Sequence, residues 1–84
     1  MKLYSFKINS KSLTLTLQDG QSSVTSIDIN DGDKINVIYK TGMRGKSEFL
    51  GTVIDIVYGY IEMSDGANLQ KIQVGMITDI VKLN

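Results

Sequence analysis

Lys40, Arg44 and Lys46 place three positive charges within seven residues, beside Gly42 and Gly45. Glycine-rich turns leave backbone N–H groups free, and these together with cations favour anions. The segment from Thr41 to Ser47 is therefore the first candidate for holding a phosphate or an acidic patch of a partner. The plainer alternative is a solvated hairpin tip that Glu48 partly neutralises, since charges beyond about 8 Å are screened at physiological salt.

Other chemistry-bearing residues are fewer. Asn30-Asp31-Gly32-Asp33 clusters carboxylates, but an EF-hand loop needs alternating ligands and a bidentate Glu at its twelfth position. Counting from Asp31, that position is Gly42, so the segment reads as a turn whose Asx side chains bond their own backbone. Asp55 interrupts an apolar run, and an unpaired carboxylate in a core is costly. Either it faces solvent at a rim, or Val53, Asp55 and Val57 form an exposed stripe packed on another subunit. Tyr39, Tyr58 and Tyr60 could offer a stacking platform to bases, although Tyr in strands is commonly packing with its hydroxyl at the surface. Tyr58 and Tyr60, on either side of Gly59, are also placed to cap an interface.

The chain has no Cys and no His. That removes disulfides, thiolate chemistry and the commonest transition-metal ligands. No nucleophile–base pair can be assembled from the Ser, Lys, Tyr and carboxylates that remain. The expectation is no enzyme, no cofactor, no metal and no small-molecule substrate. The nine basic and nine acidic residues cancel, whereas nucleic-acid-binding domains are normally strongly basic. No run approaches the roughly 20 apolar residues of a membrane helix, and no apolar stretch follows Met1-Lys2-Leu3 as in a signal peptide. A cytoplasmic protein without membrane contact is expected.

Positioning of these residues falls to strands. Tyr4, Phe6 and Ile8, then Leu13, Leu15 and Leu17, alternate with polar residues at the period of half-buried strands. Asp19-Gly20 marks a two-residue hairpin turn. Such a turn sets Val24 opposite Leu15, yet Ile27 and Ile29 have the other parity, which predicts a bulge at Thr25–Ser26. Ile35, Val37 and Tyr39 make the next strand. From Leu50 to Tyr58 both parities are apolar, so this strand is either covered twice or bent. Ile61 and Met63 point inward, Ile72 and Val74 form a short strand, and Gly75–Thr78 suits one 3₁₀ turn. Ile80 to Leu83 closes the chain. No segment holds a 3.6-residue period, so the reading is all-β, in one domain of 84 residues with a radius of gyration of about 12 Å.

The cadence GDKINV, FLGTVIDI, YIEM, KIQV and ITDIVKL over residues 33–83 resembles SH3-like and Sm-like small barrels, including small barrel proteins encoded by bacteriophages. The resemblance implies a small barrel over residues 33–84; residues 1–32 share no such likeness and are read from their own alternation as N-terminal β-strands with a β-hairpin extending it. Phe49-x-Gly51 and Ile77-x-x-Ile80 are similar to the Sm framework. The Sm base-binding pair is not there, since Gly59 follows Asp55 by four residues, and Val74-Gly75-Met76 stands where Sm proteins carry Arg-Gly. Nor is there an SH3-type aromatic groove motif.

A chain this short buries only about 60% of its unfolded surface, and self-association is the support left when disulfides and metals are absent. The first reading is a structural or interaction module acting through protein–protein contacts, as a homo-oligomer or with a protein partner. The resemblance points it to a phage virion or assembly. A nucleic-acid-binding barrel and a small phage inhibitor of a host enzyme are the rivals. The expected contact residues are Val53, Val57 or Val81, with Asp55, Tyr58, Tyr60 and the Lys40–Arg44–Lys46 loop around them.

Overall fold

The computed structural model describes residues 2–9, 12–19, 23–57 and 59–83. Eight strands follow one another: β1 (Lys2–Asn9), β2 (Ser12–Asp19), β3 (Ser23–Asn30), β4 (Lys34–Thr41), β5 (Gly45–Val57), β6 (Tyr60–Ser64), β7 (Leu69–Gln73) and β8 (Ile77–Lys82). One 3₁₀ turn, Val74–Met76, precedes β8. The all-β class read from the period of two holds, and the radius of gyration is 12.1 Å. Among the described residues no helix is long and apolar enough to cross a membrane.

The strands form two antiparallel sheets, β1-β2-β3 and β7-β6-β5-β4-β8. They are not closed into a barrel, which corrects the expectation from the cadence. The succession of strands along residues 34–82 follows the one read from the alternation, but β8 ends the five-stranded ladder and, among the described residues, β1 pairs only with β2. β1 to β3 form a three-stranded antiparallel sheet of their own. Leu13, Leu15 and Ile29 from it join Ile35, Val37, Ile61, Met63 and Ile80 in one buried cluster. Burying the apolar faces of both sheets against each other is the main stabilising term, at about 25 cal/mol per Å².

The parity conflict in β3 has a different cause from a bulge. β2 and β3 pair without interruption from Ser12↔Asn30 to Asp19↔Ser23, with Leu15 opposite Ile27. Three residues, not two, separate the paired Asp19 and Ser23, and the odd count restores Ile27 and Ile29 to the face of Leu13 and Leu15. The irregularities lie elsewhere: at Tyr4 in β1, between Ile38 and Tyr39 opposite β8, and at Ile54 in β5. The last decides the long apolar run. Val53 pairs with Met63 and Asp55 with Glu62, so Ile54 is the extra residue. Phase flips across it. Val53 and Ile56 face the core, while Ile54, Asp55 and Val57 face solvent. β5 therefore has one covered face, with its phase shifted partway.

Asn30–Asp33 is the turn the sequence predicted. Asp33 N–H donates to the Asn30 carbonyl at 3.1 Å, and Asn30 N–H donates back to Asp33 Oδ2 at 2.8 Å. Gly32 takes φ +91°, a conformation that costs only glycine nothing. The turn is also tied to the second sheet, for Gly32 N–H donates to Val53 O at 2.7 Å. Lys82 Nζ lies 3.2 Å from Asp33 Oδ2 and donates to Asp28 O at 3.0 Å.

The Asn30 N–H bond, and then Lys82, hold the Asp33 carboxyl below its ordinary value. A depressed carboxylate contributes stability above its unfolded pKa, near 3.9, and loses it as pH falls through the lower folded value. Asp33→Asn is expected to cost about 1 kcal/mol at pH 7. It is also expected to flatten the loss of stability below pH ~4, read from urea midpoints at pH 7 and pH 3. Equal midpoint shifts at both pH values would rule out this linkage.

Candidate interaction surface

The basic tip is built by the β4–β5 hairpin. Thr41 pairs with Gly45 and Lys40 with Lys46, so Gly42, Met43 and Arg44 form a three-residue loop, with Gly42 at φ +86°. Lys40, Arg44 and Lys46 are all exposed. Lys40 and Lys46 stand directly opposite each other on the solvent face, an unfavourable like-charge pair. Glu48 stands one row from them, opposite Ile38. Its carboxylate accepts a 2.8 Å bond from Asn36 Nδ2, one step further along the hairpin.

The solvent face of β8-β4-β5 is ordered in rows by the ladders. Beyond Lys40–Lys46 comes Asp79–Ile38–Glu48, and then Val81–Asn36–Leu50. Leu83 N–H donates to Lys34 O at 2.8 Å, which sets Leu83 in a fourth row with Lys34 and Thr52. Leu50 is 51% exposed and Val81 49% exposed, and Leu83 is equally open. A shallow depression of about 410 Å³ is lined by Asn36, Glu48, Leu50 and Leu83. A second, of about 640 Å³, continues past Leu50 to Ile54, Lys34 and Asp65. Met43, at the hairpin tip, is fully exposed. Large apolar side chains gathered on one ordered sheet face mark an interaction site more than scattered ones do.

The expected contact residues separate. Val53 is 1% exposed and belongs to the core, so the stripe Val53–Asp55–Val57 does not exist. The bulge at Ile54 is the reason. Val57 and Asp55 are exposed but lie at the far end of β5, about 20 Å from Leu50 along the strand. Val57 pairs there with Tyr60. Val81 does face solvent, in the row of Leu50. Tyr39 packs against the core, whereas Tyr60 is on the outer face with Lys71 Nζ 5.3 Å from its ring centroid. Gln73 Nε2 donates to the Tyr60 hydroxyl at 3.4 Å. These two tyrosines therefore share no stacking platform. Tyr58 lies outside the described residues.

Sequence reasoning missed Leu50, Ile54 and Met43. Leu50 shares the parity of Lys46 and Glu48, and those charges already marked a solvent face.

Depressed carboxylates elsewhere are turn devices. Asp65 is held below its ordinary value by the N–H groups of Asn68 and Ala67, which donate to Oδ1 at 2.7 and 2.9 Å. Among the described residues no group of three acidic side chains gathers as a metal site.

Comparison with family models, with curated proteins and with solved structures finds no match for this chain. Its class rests on its own geometry: an all-β chain of two facing antiparallel sheets, one of which keeps exposed apolar side chains on its outer face.

Proposed function

We propose that this chain is a non-enzymatic interaction module working through protein–protein contacts, as a structural or assembly component of a bacteriophage-type virion. One observation carries the reading: Leu50, Val81 and Leu83 stand exposed together on a sheet face that three hydrogen-bonded strands hold rigid. Desolvating such side chains against a partner stabilises a complex by about 25 cal/mol per Å². The viral setting is supported by the cadence of residues 33–83, which resembles small phage barrels. Lys40, Arg44 and Lys46, with no ion pair to a described residue, make nucleic-acid binding the second reading.

Mass spectrometry of purified native particles is expected to find the chain in many copies. A Leu50→Asp variant is expected to be left out of them while keeping its circular dichroism spectrum. Recovery of the chain only as free protein, with Leu50→Asp behaving as the parent, would end this reading. Sub-micromolar nucleic-acid affinity that survives physiological salt would put the second reading in its place, because mere phosphate attraction weakens steeply with salt.

A further inference from the structure

The interaction face is self-complementary, and we infer that its occupant is a second copy of this chain, docked face to face through the β4–β5 hairpin. The inference rests on the module reading and names its partner. Along the hairpin the outer face runs in sequence: an apolar knob at Met43, a basic row of Lys40 and Lys46, an acidic row containing Glu48, and an apolar row containing Leu50. Successive rows lie two residues apart, about 7 Å along the strands.

A two-fold axis lying in the interface, across the strands and level with residue 39, reverses this order in the second copy. The row at 40 then meets the row at 38, and the loop at 42–43 meets the row at 36. Lys46 of each copy comes over Glu48 of the other. Met43 of each enters the depression between Asn36, Leu50 and Leu83 of the other. One rotation thus satisfies charge and apolar contacts together, twice over, as an isologous interface must.

The pairing also relieves what the single chain leaves unfavourable. Lys40 and Lys46 oppose each other with like charge, and the partner's Glu48 placed over Lys46 offsets that repulsion. Three strands at about 4.8 Å spacing over about nine residues make a patch of roughly 400 Å² in projection. That is the small, reversible class of interface, so a weak dimer in rapid exchange with the monomer is expected.

Sedimentation equilibrium of the whole chain is the test, with circular dichroism confirming that each variant folds. Lys46→Glu is expected to weaken the dimer at least tenfold. Within the chain the same change sets a carboxylate opposite Lys40 in place of a like charge, so a lost dimer cannot be blamed on unfolding. Met43→Asp is expected to weaken it at least as much. Combining Lys46→Glu with Glu48→Lys exchanges the two charges across the axis and is expected to restore the dimer to within about threefold of the parent. A strict monomer at about 1 mM overturns the inference but not the module reading, which the particle experiment decides. A dimer indifferent to Lys46→Glu and Met43→Asp overturns it as well.

Discussion

Val53→Asp is expected to abolish folding, whereas Val57→Asp leaves the stability within about 0.5 kcal/mol of the parent. The two valines lie four residues apart in one strand, and pattern alone put them on the same face. The bulge at Ile54 separates them: Val53 is 1% exposed, against 43% for Val57. A carboxylate at Val53 would sit opposite Met63, itself fully buried, within the apolar core. An uncompensated charge of this kind costs several kcal/mol before any shift of its pKa. An 84-residue domain has roughly 4–13 kcal/mol in all. Urea unfolding followed by circular dichroism reads the outcome. A cooperative Val53→Asp transition within about 1 kcal/mol of the parent would show that Val53 is not in the core.

Gly51 is the second position where a small change should have a large effect. A Cβ there would lie 2.6 Å from the Ser64 carbonyl oxygen and 2.8 Å from Phe49 Cε1. The Phe49 ring can swing aside, but Ser64 is held in the β5–β6 ladder opposite Thr52. Relief therefore requires prying β6 from β5, next to Met63 and Ile61 in the core. Gly51→Ala is expected to cost about 1–3 kcal/mol, and Gly51→Val more. Gly75→Ala is the control. Nothing lies within 4 Å of its would-be Cβ, so the change is expected to be neutral or to stabilise by a few tenths of a kcal/mol through the unfolded chain. Equal thermal midpoints for Gly51→Ala and Gly75→Ala would show that β5 and β6 do not approach so closely at Gly51.

Local pattern determined a good deal about this protein. Alternation of apolar and polar residues specified strands with the right inward sets at Leu13 and Leu15, at Ile35 and Val37, and at Ile61 and Met63, because the pleat sends successive side chains to opposite faces. Asn30–Asp33 was legible as a turn because its bonds are made within four residues. The absence of His and Cys from the sequence limited the available chemistry without any structure. Tertiary structure alone decided the rest, since it depends on the register between strands. A single extra residue at Ile54 inverts every position after it, which left Val53 in the core, turned Val57 out to solvent and broke up the expected stripe. Three residues between Asp19 and Ser23, instead of two, did the same for β3. Whether the sheets closed into a barrel depended on β8 and β1 bonding edge to edge across some 70 residues of chain, and no local spacing reports that. The outer apolar patch of Leu50, Val81 and Leu83 spans two rows brought together by β5 and β8 flanking β4, so it became visible only once the ladders aligned them.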